Sequence, residues 1–571
     1  MENYMQNYEK WLAYEGLDDA SRAEMKGLSE DDRKFRFSGY MSFGTAGLRS
    51  QMGVGSAMMN TYTVAHTTEG IARLIEETGE DAKSRGVAIA YDSRNNSEAF
   101  AKRCAEVLTA HNIRVYMFSS LRPTPVLSFS ILHLNCIAGI NITASHNPAE
   151  YNGYKAYWED GAQLPPEHAA IVSEKMSTLD IFADVPAPSE ADMSLVITAD
   201  PLVDEDYMKS VLAQRVNPDS IPAVADTMSV VYTPLHGAGA VMVPEVLRRA
   251  GLKKLFTVDE QMAPNGDFPT LKYPNPEFEE AYTLGKVIAE REASDLIIAT
   301  DPDADRVGAA VRGRDGSFFR ITGNQMGALL LEYIIEALKE TTGVPADAYA
   351  VKSIVSSELA ARICEKNGVE MFNVLTGFKF IGEVIKKHEL EGHGTFLLGF
   401  EESYGYLKGT YARDKDAVVA SMLICEMAAF YKLHGMTLAD ALEGVFEKYG
   451  YFKENVFSIE MKGLGASDKM KALMLGLREN APGDIAGRHV AEIRDYKDAT
   501  IRSTAGGEVR STGLPSSDVL YYVMDNRDVV VVRPSGTEPK VKVYIMTSGK
   551  TEADADRSTE EYTAAMKALL A

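Results

Sequence analysis

Three aspartates alternate in "TDPDADRVG" (300–308), directly after the apolar run "LIIA". Asp301, Asp303 and Asp305 offer hard oxygen ligands at a spacing that suits Mg2+ or Ca2+. An EF-hand is excluded, because its sixth and twelfth positions need Gly and Glu, and here they are Arg306 and Arg312. Alone, the stretch also reads as a solvated acidic turn. Three anions at one strand end are nevertheless costly without a cation. Three carboxylates leave Mg2+ unsaturated, and it tends to complete its shell with water and phosphate oxygens. Ser145, in "GINITASHNPAEYNGYKAY" (139–157), lies at the mouth of an apolar strand, where open α/β sheets bind ligands. A phosphate carried by Ser145 is a candidate for the missing metal ligand. His146 follows at once. Adjacent side chains are expected to diverge and no GxSxG elbow is present, so a hydrolase triad is not expected. A polar turn is the plain alternative.

Further stretches carry weaker signals. In "RPSGTEPKVKVY" (533–544), Arg533, Ser535, Gly536, Thr537 and Lys540 crowd one loop. Such a loop can hold a phosphate through a guanidinium fork, hydroxyls and close backbone approach, or can be a basic hairpin turn. In "GFEESYGY" (399–406), Glu401, Glu402 and Ser403 could accept and donate hydrogen bonds to a polyol, or form an exposed acidic turn. "SFGTAGLRS" (42–50) is a Gly-rich loop ending in Arg49. "HGAGAVM" (236–242) starts like GxGxxG but has Met242 at the third glycine, so we expect tight strand–helix packing there and no dinucleotide.

The elements that position these residues follow a βαβ rhythm, which implies largely parallel sheets. Residues 1–35 read as helical. Helices are expected over 69–79 and over 97–112, the latter with Ser97 as N-cap. Strands are expected over 86–94 and 113–118, while 229–251 reads as strand, loop and helix and 294–306 as a strand followed by a loop. After about 450 the pattern changes to an antiparallel pair around the 533–540 loop and a final helix, an α+β tail. The expected domains are 1–205, 206–318, 319–450 and 451–571.

Composition narrows the function classes. The chain has 571 residues, 45% hydrophobic and 25% charged, with a formal net charge of −23 from 59 basic and 82 acidic side chains. That acidity repels nucleic acid and anionic lipid, so neither is an expected partner. A phosphate site must therefore concentrate Arg and Lys locally. The four cysteines form no CxxC pair, which argues against zinc and redox motifs and fits a reducing cytosol. No signal peptide and no run of about 18 apolar residues is seen, so a cytoplasmic protein without a membrane span is expected.

Taken together, TASHNP, DPDADR, FEESYG and RPSGTEPK, in that order along nearly the whole chain, resemble the α-D-phosphohexomutase family. The resemblance implies four domains around a central cleft, three α/β with mixed, mostly parallel sheets and a smaller C-terminal α+β domain. It implies a phosphoserine at Ser145, Mg2+ held by Asp301, Asp303, Asp305 and the phosphate of Ser145, and charge offset by Arg306. His146 would support the loop or the phosphate. Arg49 and Lys155 match positions near the transferring phosphoryl, and Lys415 in "RDKDA" matches a lysine linked to acid–base work or substrate contact; the general base is Lys155 or Lys415. Glu401 and Ser403 would grip sugar hydroxyls, and Thr376, Gly377 and Lys379 in "TGFKF" would help choose the sugar. Arg533, Ser535, Gly536, Thr537 and Lys540 would bind the phosphate that stays on the substrate. The implied reaction interconverts a hexose 1-phosphate and 6-phosphate through glucose 1,6-bisphosphate as intermediate and activator. Glucose 1-phosphate is the first choice, and a pentose or mannose 1-phosphate the alternative. An inactive sugar-phosphate-binding protein is the non-enzyme alternative. A monomer or weak homodimer is expected. Phe400 departs from the family, many of whose members have Gly there.

Overall fold

The computed structural model describes residues 4–41, 47–461, 465–535 and 540–570. The chain divides into two compact units. The first holds Met1–Ile321, Gly382–Gly392 and Tyr404–Thr437, and the second Thr322–Ile381, His393–Ser403 and Leu438–Ala571.

The first unit contains two mixed sheets. One runs in the order Leu48–Gln51, Tyr151–Trp158, Ala138–Ile142, Val87–Tyr91, Val115–Met117, Val196–Thr198. Its first two pairings are antiparallel and the rest parallel. The second has the order Phe318–Arg320, Val307–Arg312, Leu296–Thr300, Ser229–Thr233, Lys254–Thr257, again antiparallel at one side and parallel at the other. Val87–Tyr91, Ala138–Ile142 and Leu296–Thr300 are buried at every position. Helices covering both faces explain why these strands read as continuous apolar runs rather than alternating ones.

Two sequence expectations shift. The helix expected over 69–79 begins eight residues earlier and spans Thr61–Thr78, capped by the Asn60 side chain. Its first turns hide from periodicity because Thr67 and Thr68 are buried polar residues whose hydroxyls bond the carbonyls of Thr63 and Val64, four residues back. Ser97 is not the N-cap of its helix. Asn96 holds that place with φ 65°, and Ser97, the first helical residue, turns its hydroxyl to Asp92 at 2.8 Å.

The N-terminal helices pack through an aromatic cluster in which Trp11 meets Phe37, Tyr62 and Phe182 edge-on. Asn7 donates to Phe37 O within these helices, and they bond the segment just after the Arg49 strand, where Ser56 Oγ accepts from Asn7 and Ala57 N–H donates to Arg36 O. In the second unit, Glu370–Val374, Ala348–Ser353 and Thr395–Glu401 form a parallel arrangement. The C-terminal sheet there is antiparallel, and helix Glu552–Leu569 packs on its two long strands. Among the described residues, no single helix is long and apolar enough to cross a membrane.

The 236–242 segment packs tightly, as its glycines suggest. A Cβ on Gly237 would lie 2.4 Å from Pro302 Cα and 2.6 Å from Pro302 O, so backbone meets backbone at the aspartate loop. Gly237→Ala is therefore expected to displace that loop and lower stability by about 1–3 kcal/mol. Calorimetry checks this, and an unchanged melting temperature would contradict the close approach.

Candidate functional site

Ser145 stands just beyond strand Ala138–Ile142 with a left-handed backbone, φ 53°. It is buried, and its hydroxyl donates to Asp301 Oδ2 at 2.8 Å. His146 Nδ1 lies 3.1 Å from the same Oγ. The expected divergence of these neighbours is thus wrong. An extended backbone alternates side chains, whereas the left-handed turn at Ser145 brings two successive ones together. Burial, with Arg306 and Arg49 nearby, pushes the His146 imidazole well below its usual range, so the ring is neutral.

The aspartates leave strand Leu296–Thr300 on a turn that Asp301 organises, since its Oδ1 accepts the backbone N–H groups of Asp305 and Arg306. All three carboxylates are fully buried, and one oxygen from each lies within 4.8 Å of the others. Their outer oxygens are engaged. Asp303 Oδ2 accepts from Thr124 Oγ1 and Lys155 Nζ, both at 2.7 Å. Asp305 Oδ2 takes Lys155 at 2.8 Å and Lys415 at 3.1 Å. The other oxygens, Asp303 Oδ1 and Asp305 Oδ1, are buried without a hydrogen-bond partner. Buried anionic oxygens without hydrogen bonds, that of Asp305 having only Arg306 Nε at 3.9 Å, fit a hard divalent cation, because a buried carboxylate oxygen is costly unless paired or metal-bound.

The electrostatics agree. Burial, and then the neighbouring Asp303 and Asp305, push the Asp301 carboxyl well up. Burial would raise Asp305 too, but Lys155, Lys415 and Arg306 together hold it far down. Burial disfavours the Lys155 ammonium, yet Asp303 and Asp305 outweigh that and hold it up, as a cation. Arg49 donates to Asn147 Oδ1 at 2.6 Å, beside the serine, and Arg306 to Glu277 at 3.2 Å. Lys415 also meets Asp414 at 3.1 Å, and Asp414 is held by Tyr157 and Gln163. The fold therefore gathers Ser145, His146, Arg49, Lys155, Lys415, Arg306 and the three aspartates within one unit.

The second unit holds the other expected groups. Gly377, at φ 119°, donates its N–H to Glu401 Oε1 at 2.8 Å, which joins "TGFKF" to "FEESYG". Thr376, Lys379 and Ser403 are half-buried nearby in sequence, and the Lys379 ammonium lies 5.5 Å from the Phe380 ring. Glu402 accepts from Ser353 Oγ at 3.1 Å. Arg533 and Glu402 both lie beside the Tyr544 hydroxyl. Ser535 N–H donates to Lys540 O at 2.8 Å and closes the base of that loop. Gly536, Thr537 and residues 42–46 of the Arg49 loop lie outside the described residues.

Sequence reasoning missed Asp92, Arg94, Thr124 and Thr143. Thr143 Oγ1 accepts the Ser145 N–H at 2.8 Å, and Arg94 Nη2 donates to Ser145 O at 2.6 Å. The signal was present in "GVAIAYDSR", a buried strand ending in an acid and a base.

Comparisons with known proteins bear on this site. Models of the α/β/α domains I, II and III of phosphoglucomutase/phosphomannomutase match residues 40–181, 205–315 and 322–449. A phosphoglucomutase of Staphylococcus saprophyticus is 36% identical over 522 residues, covering 90% of this chain and 92% of that protein. Among solved structures, the exocytosis-sensitive phosphoprotein parafusin (phosphoglucomutase) of Paramecium, in an open form, superposes with a TM-score of 0.69 at 19% identity, over 92% of this chain and 95% of that one. The Aspergillus fumigatus N-acetylphosphoglucosamine mutase, in complex with GlcNAc-6P and magnesium, gives 0.52 at 14% identity over 97% and 100%. These two likenesses are of fold. The extent of the family match and of the 36% identity shows that this chain belongs to the phosphoglucomutase/phosphomannomutase family.

Proposed function

We propose that the chain interconverts α-D-glucose 1-phosphate and glucose 6-phosphate, through a phosphoserine at Ser145 and glucose 1,6-bisphosphate. The observation that carries this reading is the Ser145 hydroxyl 2.8 Å from Asp301 Oδ2, in a turn lined with cations. Relatives 36% identical over 90% of the chain carry the name phosphoglucomutase, which supports the choice of glucose.

In the proposed cycle the Ser145 P–O bond breaks as a bond forms between phosphorus and O6 of glucose 1-phosphate. The O6 proton leaves to a base. The freed Ser145 oxygen takes up a proton. The bisphosphate then presents its O1 phosphoryl: the P–O1 bond breaks as a bond forms between phosphorus and Ser145 Oγ, O1 takes up a proton, and glucose 6-phosphate leaves. On return the serine hydroxyl must lose its proton. His146 Nδ1, 3.1 Å away, can accept a hydrogen bond from that hydroxyl, but its protonated ring is disfavoured, so the proton passes on to the leaving O1. Arg49 and Arg306 face the negative charge on the phosphoryl. Lys155, Lys415 and Thr124 hold one oxygen each of Asp303 and Asp305, which fixes both carboxylates and leaves the inner oxygens, Asp303 Oδ1 and Asp305 Oδ1, without hydrogen bonds. We assign those inner oxygens and Asp301 to Mg2+, whose chemistry here is to neutralise phosphoryl oxygens. Glu401 and Ser403 are assigned to sugar hydroxyls, with Thr376, Gly377 and Lys379 beside them, and Arg533, Ser535, Gly536, Thr537 and Lys540 to the phosphate that stays bound. The four buried, unpaired cysteines support a reducing, cytoplasmic location.

The direct test compares kcat/KM for glucose, mannose and ribose 1-phosphates with trace glucose 1,6-bisphosphate. Glucose 1-phosphate is expected to lead, and interconversion of none of them would sink the reading. Ser145→Ala and Ser145→Gly should both be inactive. Because only glycine relaxes the left-handed turn, Ser145→Gly should be the more stable of the two by about 1 kcal/mol. Activity in either variant would remove the phosphoserine, and a more stable alanine variant would remove the strain. For the cation, Asp303→Asn should weaken Mg2+ binding at least about tenfold in titration calorimetry, with no substrate present. Equal affinity would place the ion elsewhere.

A further inference from the structure

Ser145 has an unusual support. A residue with a β-carbon in the left-handed region costs about 1–2 kcal/mol and persists only where its surroundings over-determine it. Neither backbone polar group of Ser145 has a ladder partner; side chains hold both. Its N–H donates to Thr143 Oγ1 at 2.8 Å, and its C=O accepts Arg94 Nη2 at 2.6 Å. The same guanidinium also donates to the carbonyls of Asn147, of Pro148 at 2.8 Å and of Tyr151 at 3.0 Å. One planar fork thus gathers three carbonyls of the loop that follows the strand and that of Tyr151, which opens the next strand, a geometry that an ammonium cannot reproduce.

Arg94 is fixed in turn. Its side chain and that of Asp92 are wholly buried, 3.3 Å apart. Asp92 Oδ1 accepts the Arg94 N–H at 2.9 Å, and Asp92 Oδ2 accepts Thr143 Oγ1 at 2.6 Å. Asp92 therefore links the two side chains that hold Ser145. The Phe268 ring covers the guanidinium at 5.1 Å. Phe268 itself is buried and left-handed, φ 46°, in a segment where Gly266 abuts Asn95 so closely that a Cβ would lie 2.3 Å from its backbone nitrogen. The clamp thus joins the loop after Val87–Tyr91, the serine loop and the segment around 266–268.

We propose that Arg94, with Asp92 and Thr143, is a positioning residue for phosphoryl transfer: it holds Ser145 in the left-handed conformation that turns the hydroxyl toward Asp301 and His146. Arg94 touches the serine carbonyl and not its hydroxyl, so it acts through backbone geometry alone. The inference rests on the mutase reading of Ser145.

The test measures phosphoryl transfer from glucose 1,6-bisphosphate to the full-length protein by intact mass, as both a rate and a final phosphorylated fraction, alongside kcat and KM. Arg94→Lys keeps the charge and loses the fork. Its transfer rate and kcat should fall about 10²-fold, as for a reacting group displaced by about 1 Å, with KM and the final fraction unchanged. Thr143→Val keeps shape and removes the acceptor for the Ser145 N–H, and should show a smaller fall of the same kind. Wild-type rates in either folded variant would overturn the inference. So would a final fraction that drops in step with kcat, since that reports misfolded molecules rather than a misaimed serine. Should Arg94→Lys not fold, Thr143→Val decides by the same criteria. Wild-type protein that takes up no phosphoryl removes the mutase reading and this inference with it, whereas loss confined to the variants bears on the inference alone.

Discussion

Three buried carboxylates within reach of one another are the constraint around which the first unit is organised. Like charges about 4 Å apart repel by roughly 4 kcal/mol even at an effective dielectric constant near 20. Asp301, Asp303 and Asp305 cannot share a dry pocket unless each is compensated. The compensation is divided by oxygen. One oxygen each of Asp303 and Asp305 meets Lys155, with Thr124 or Lys415, Asp301 Oδ1 meets two backbone N–H groups, Asp301 Oδ2 meets Ser145, and Asp303 Oδ1 and Asp305 Oδ1 have no hydrogen bond. The lysines that make the cluster tolerable are also the groups that aim it.

That division explains why two sheets must meet. The aspartates end a strand of the second sheet, whereas Ser145, Lys155 and Thr124 belong to elements of the first. Thr124 ties the two through both its backbone N–H and its hydroxyl to Asp303. Asn141, on the strand leading to Ser145, donates to the same hydroxyl at 2.7 Å. A shift of one sheet against the other would break bonds to buried charged groups, the costliest kind to lose.

The linear motifs were legible because their chemistry is contiguous. "DPDADR" shows its three ligands in six residues, and a buried apolar strand before each motif marks the carboxyl end of a sheet. What sequence reading lost was either conformational or dispersed. Ser145 and His146 were expected to diverge, since nothing in the residue types announces a left-handed serine. Arg94 and Asp92 read only as the polar end of a strand, because their partners lie some fifty residues away in the serine loop. Thr124 carries no motif at all. The start of helix Thr61–Thr78 was masked by threonines that bond backward into the helix and so bury polar atoms on an apolar face.

The charge count around Ser145 reconciles an acidic protein with a phosphate. Asp92, Asp301, Asp303, Asp305, Asp414 and Glu277 face Arg49, Arg94, Arg306, Lys155 and Lys415, six acids against five bases, so the site is near balance although the chain carries −23. A phosphoryl group brings about two negative charges at neutral pH, the charge that a divalent cation brings with opposite sign. Entering together, they leave the balance intact; either alone would place an uncompensated double charge where desolvation makes it most costly. A serine that releases and regains phosphoryl beside a resident cation changes that balance only while the group is in transit. In transit the group stays among the guanidinium groups of Arg49, bonded to Asn147, and of Arg306, bonded to Glu277 and 3.9 Å from Asp305.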